Sequence, residues 1–130
     1  MSHSLVFQQV IRYQLPTFLW AAIIFVSSSI PSARLPHLTV FGIDKLVHFG
    51  IFFVLCLLVH RGFRHQSRFP VLARYGLALS ILATMLYGVS DELHQSFVPG
   101  RNPNVFDVIA DGVGGLLYAF SYRMWYRWKS

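Results

Sequence analysis

Five carboxylates are all the acid in this 130-residue chain, and each falls at or just inside the end of a long apolar run: Asp44, Asp91, Glu92, Asp107 and Asp111. Imidazoles accompany them. His48 follows Asp44 at i+4, His94 follows Asp91 at i+3, and Asp111 follows Asp107 at i+4, spacings that stack each pair on one face of a helix. Lys45 and Arg101 are the nearby cations. A charge held at bilayer depth costs roughly 2.5–3.5 kcal/mol on insertion scales, so acids kept there are rare, usually paired, and point to function. Groups of these types can move protons, bind a phosphate or an oxyanion, or ligate a divalent ion through N and O atoms.

The elements that must position them are membrane spans. With 55% hydrophobic and 12% charged residues, the composition excludes an ordinary soluble domain. Four apolar segments run from Leu15 to Ile30, Ile43 to Val59, Tyr75 to Leu93 and Val105 to Tyr122, each near the ~17–25 residues a spanning helix needs. Pro16 suits the first turn of the first helix, and Ser27, Ser28, Ser29 and Pro31 mark its far end. A cleaved leader is the competing reading of this stretch, but only Arg12 precedes the apolar run, and three helices would make a poorer package. No repeat, low-complexity tract or composition break divides residues 1–130, so the expected fold is all-α: one domain, a bundle of four transmembrane helices.

The eleven Lys and Arg residues set the orientation. Eight flank one side (Arg12, Arg61, Arg64, Arg68, Arg74, Arg123, Arg127, Lys129) and three the other (Arg34, Lys45, Arg101), which predicts cytoplasmic termini by the positive-inside rule. Trp125, Tyr126 and Trp128 fit an inner interfacial belt. The net charge of +6 therefore reads as membrane anchoring near anionic lipid rather than nucleic-acid binding. Counting outward from Arg61, Arg74 and Arg123 at about 1.5 Å per residue puts Asp44, Asp91 and Asp107 in one layer, roughly 24–26 Å up a core of about 30 Å. His48 and Asp111 form a second, deeper layer roughly 18–20 Å up, where each offers the other a partner.

Facing narrows the set. Adjacent acids on a helix point about 100° apart, which selects Asp91, on the His94/Gln95 side, as the one turned to the polar site and leaves Glu92 to pair with Arg101 or Lys45. The turn from Phe97 to Asn104, with its Pro-Gly pair and second proline, tethers Arg101 close to the carboxylate layer. Gly88, Gly112, Gly114, Gly115 and Ala119 are small residues that let helix backbones approach. The structural alternative is a salt-bridge network that fixes packing, with Asp44 and Asp107 as helix caps. His3, His37, His60 and His65 fall in tails or loops and receive no role. Cys56 is the only cysteine, which rules out an internal disulfide and a cysteine-based metal centre.

Three separated blocks carry a resemblance: Asp44-Lys45-x-x-His48; Tyr87-Gly88-x-x-Asp91-Glu92-x-His94-Gln95-x-Phe97-x-Pro99-Gly100-Arg101; and Asp107-x-x-x-Asp111-x-x-Gly114-Gly115. Together they closely resemble the VanZ-like family of bacterial integral membrane proteins, over Asp44 to about Tyr118. The resemblance implies a small multi-pass protein of the bacterial cytoplasmic membrane. The family takes its name from a member associated with resistance to glycopeptide antibiotics such as teicoplanin, and it supplies no established reaction.

Three functions fit the residues. An enzyme at the outer leaflet would act on a lipid-linked or amphiphilic cell-envelope substrate, with His48 or His94 as general base, Asp91 or Asp111 orienting it, and Arg101 with Lys45 holding a phosphate. Its metal-assisted form would use His48, Asp91, His94 and Asp107 as ligands of a divalent ion. A non-catalytic binding protein would need the same charges without a nucleophile. A proton- or ion-coupled carrier would also place Asp and His in its helices, though four helices without a repeat argue against it.

Overall fold

The computed structural model describes residues 7–34 and 42–129. Its α-helices are α1 (Leu15–Ser28), α2 (Ile43–Arg64), the short α3 (Pro70–Arg74), α4 (Gly76–Gln95) and α5 (Val105–Lys129). A π-helical turn, Val10–Gln14, extends α1 backward, so the first membrane-length helix is Phe7–Ser28. With it, α2, α4 and α5 are long and apolar enough to cross a bilayer. The 22 residues of α2 alone span about 33 Å, against a hydrocarbon core of about 30 Å. No strand occurs among the described residues. His3 and His37 lie outside them.

Local chemistry sets the helix ends. Pro16 stands where the π-helical turn passes into α1, inside the continuous Phe7–Ser28 helix and not in its first turn as expected, so its ring removes one backbone N–H at the point where the hydrogen-bond register changes. At the other end, Ser28 Oγ and Ser29 Oγ turn back onto the Ile24 and Phe25 carbonyls at 2.9 and 2.6 Å, a side-chain competition for backbone acceptors that suits a helix end. Gly42 opens α2 at φ 87, a left-handed conformation that only glycine adopts cheaply. Asn104 caps α5, its Oδ1 accepting the Phe106 N–H at 2.9 Å, so Asp107 sits within the first turn rather than acting as the cap.

Around a small apolar core of Ile24, Phe52 and Leu55, α4 buries its polar and small-residue face and leaves its apolar one outside. On α4 the buried positions are Gly76, Ser80, Thr84, Gly88, Asp91, Glu92 and Gln95, while Leu82, Leu86, Val89 and Leu93 are exposed. Lipid is as apolar as leucine, so association in a membrane relies on close packing and hydrogen bonds. Gly114 of α5 supplies the closest approach: a Cβ there would collide with the Phe49 carbonyl and the Phe53 nitrogen of α2. Gly115 lies against Thr84 and Cys56. Thus α2, α4 and α5 form a tight triangle, and α1 leans on it. Only Ile24 and Ser28 of α1 are buried. Directed hydrogen bonds do much of the holding: Thr17 Oγ1 to the Leu58 carbonyl (3.0 Å), Trp20 Nε1 to the Ile51 carbonyl (3.0 Å) and Tyr87 Oη to the Ala21 carbonyl (2.6 Å).

Two helices outrun their apolar segments. The expected end of the second helix at Val59 is corrected to Arg64, and that of the last from Tyr122 to Lys129. His60 is accordingly a buried helical residue and not part of a loop, with Nδ1 2.7 Å from the Tyr118 hydroxyl and its ring edge-on to Tyr122. Arg64 donates to the Tyr122 hydroxyl one turn further on. Aromatic and basic side chains that pair with each other carry both helices out through the interface, where hydropathy alone would stop them.

Candidate functional site

The start of α2, the end of α4 and the start of α5 meet at one end of the bundle, and the acids meet with them. His48 Nδ1 is 3.0 Å from Asp111 Oδ1, joining α2 to α5 in the deeper layer. An ionised carboxylate partner places the hydrogen on Nδ1, and a neutral imidazole would then keep a lone pair on Nε2. Asp111 packs against Gly88, where any side chain would press on its carboxylate. Its Oδ2 is buried with no hydrogen-bond partner, so it can accept one more donor. Above this pair, Lys45 Nζ bridges Asp44 Oδ2 (2.8 Å) and Asp107 Oδ1.

Glu92, not Asp91, is the acid that faces this cluster, which corrects the facing expected from the sequence. Ligand atoms of His48, Glu92 and Asp107 all lie within 4.8 Å of one another. Glu92 Oε2 also accepts the Asn104 N–H at 2.9 Å, which ties the end of α4 to the start of α5. Neither Arg101 nor Lys45 is its hydrogen-bond partner. Gln95 Nε2 sits between the two adjacent acids, donating to Asp91 Oδ2 (2.9 Å) and approaching Glu92 Oε1 (3.4 Å).

Asp91 and His94 turn toward α1 instead. Ser28 Oγ donates to Asp91 Oδ1 at 2.6 Å, while His94 Nε2 lies 2.9 Å from Ser29 Oγ with its ring against Phe25. The expected metal set of His48, Asp91, His94 and Asp107 is therefore split between two faces of α4, and the three groups that converge are His48, Glu92 and Asp107. Arg101 also takes a different post. Its Nε and Nη2 donate to the Ile30 and Ser27 carbonyls (3.1 and 2.9 Å), satisfying the C-terminal end of α1. The Val98–Arg101 turn, with Gly100 at φ 74, brings it there.

Exposure grades across the cluster and gives the recess a floor and a mouth. Side-chain exposure is 1% at Asp111, 14% at Asp107, 20% at His48, 33% at Lys45 and 56% at Asp44. Asp44 and Lys45 are thus the outermost groups of the cluster and Asp111 the innermost. Ser28, Ser29, Gln95 and Asn104 complete the polar network. The sequence offered one signal for Glu92, its i+4 spacing from Gly88, which puts it on the small-residue face that packs on α5.

A helical, multi-span membrane protein with a carboxylate–imidazole recess buried at one end of its bundle is the class that this fold and site define. The chain belongs to the VanZ/LLP1 family, whose profile matches residues 2–126. No curated protein and no solved structure gives a match.

Proposed function

We propose that the recess holds a divalent cation on His48, Glu92 and Asp107, and that this cation and Lys45 together bind the phosphate of a lipid-linked or amphiphilic cell-envelope substrate at the outer leaflet of the bacterial cytoplasmic membrane. The observation that carries this reading is the convergence of three N/O ligand atoms from three helices within 4.8 Å. A carboxylate on the far nitrogen of a ligating histidine is the usual second support of such a site, and Asp111, on Nδ1, would have that relation to a His48 that ligates through Nε2. The ion would polarise a phosphoryl oxygen, Lys45 would balance charge at the mouth, and Asp111 would fix the imidazole. Asp91 and His94 act here through α1, as positioning groups.

Purified protein should bind one Mn2+ ion per chain, followed by electron paramagnetic resonance, with Zn2+ competing. Losing a ligand in His48→Ala or Glu92→Gln should weaken binding by about 10–100-fold, and Asp111→Asn by roughly tenfold. His94→Ala should leave metal affinity unchanged. Absence of metal binding, or equal losses in His94→Ala and Glu92→Gln, would overturn the cation. A polyprenyl phosphate should be retained by the metal-loaded protein and less so by Lys45→Ala. Displacement of that lipid by teicoplanin would instead favour a glycopeptide as the occupant.

A further inference from the structure

We propose that the opposite, basic end of the bundle carries a separate binding site for an anionic phospholipid, seated between the beginning of the first long helix, the end of α2 and α3. A cavity of about 650 Å3 opens there. That volume falls in the range of small-molecule and cofactor sites. Its wall is apolar, from Val10, Phe18, Val59, Phe63 and Leu72, and its polar groups include Gln9, Gln14, Gln66 and Arg68. An amphiphile with a polar head and a hydrocarbon tail matches this division.

The backbone makes the space. The π-helical turn Val10–Gln14 widens the first helix where it passes α2. Gly62 of α2 lets the Tyr13 carbonyl come close, with a built Cβ only 3.3 Å from it, so the two helices touch along that line. Beside the contact, the segment from His65 to Phe69 and α3 fold over and roof a groove that the helices do not fill. Gln66 braces the roof through bonds to the Phe69 backbone.

Charge selects the occupant. The chain's five acidic side chains all lie at the other end of the bundle, and the ion pairs among the described residues are there with them. At the basic end the guanidinium groups rest on rings: Arg12 and Arg61 over Tyr13, Arg64 over Tyr122, Arg68 over Phe69 and Arg74 over Tyr75. Ring contacts lower the cost of holding the cations in the interface but do not neutralise them. Among the described residues no acidic side chain lines the cavity, and Arg68 is the cation at it. Its complement is an external anion joined to apolar mass, and basic pockets between membrane helices take lipid headgroups on these terms.

Native mass spectrometry of the full chain released from nanodiscs tests the site. The discs contain equal parts of dioleoylphosphatidylglycerol and dioleoylphosphatidylcholine. The expected result is one phosphatidylglycerol retained in preference to phosphatidylcholine. Removing the headgroup partner with Arg68→Gln should lower that retention by about tenfold, the loss of one charge-assisted hydrogen bond. Val10→Trp, which fills the groove without changing charge, should lower it comparably. Arg74→Gln, which removes the same charge at the same end but outside the cavity, should leave it within about twofold. Equal retention of both lipids, or equal losses in Arg68→Gln and Arg74→Gln, would overturn the proposal. So would full competition by free glycerol 3-phosphate, which has the head without the tail. None of these readouts involves the recess at the acidic end.

Discussion

His48 and Asp111 are each other's answer to burial. A carboxylate at 1% exposure and an imidazole one helix away share a 3.0 Å contact, and the remaining Asp111 oxygen, turned to Gly88, is buried without a hydrogen-bond partner. Breaking a buried pair by removing one partner strands the other. Either His48→Ala or Asp111→Ala should therefore cost about 3 kcal/mol of stability, and the double variant should cost less than the sum by a coupling of roughly 1–3 kcal/mol, read by denaturant titration in detergent. Additive losses would show that the pair is not a unit. The pairing of these two residues was legible in the sequence, because helical rise is constant and a count along each helix brings them level with one another. The facing of Asp91 and Glu92 was not: a 100° difference picks a direction only when the neighbours' positions are known, and Ser28 and Ser29 read as helix-end punctuation rather than as partners.

At the scale of elements, the α2–α5 approach at Gly114 holds the recess together, since it sets how near His48 comes to Asp111. A methyl group there meets backbone atoms of α2, which cannot swing aside. Gly114→Ala should destabilise the protein by about 1–3 kcal/mol. Gly112→Ala, whose methyl would meet only the flexible end of Met85 at 3.7 Å, should stay within about 0.5 kcal/mol. Thermal unfolding in detergent distinguishes them, and equal shifts would deny Gly114 its role. Four spans were readable from apolar runs of sufficient length. Where α2 and α5 end was not, because hydropathy falls at His60 and Arg123 while the helices continue on the stacked Tyr118, Tyr122 and Tyr126 rings. Arg101 was misplaced for a related reason: a short turn fixes where a residue starts, whereas its reach to the Ser27 and Ile30 carbonyls depends on the end of another helix.

The whole molecule is polarised along its axis, with acids and the recess at one end and most cations at the other. An even number of spans places both ends of the four-helix unit on one side, and the arginine bias predicts that this side is the cytoplasmic one. In a Cys56→Ser background, Phe97→Cys should react with a membrane-impermeant maleimide in intact cells, and Val71→Cys only after permeabilisation. Both positions are well exposed, at 79% and 63%. The reverse pattern would invert the orientation, and labelling of both from outside would break the four-span topology. The uneven seating of α1 sets how the recess can be reached. Interlocked ridges give way together, but the few directed bonds from α1 to Ile51, Leu58, Tyr87 and Asp91 can be undone singly. Of the walls around Asp91, α1 is the one with the fewest buried residues, so the lipid ligand proposed above would enter there, sideways within its leaflet, by a doorway that a water-soluble molecule does not need.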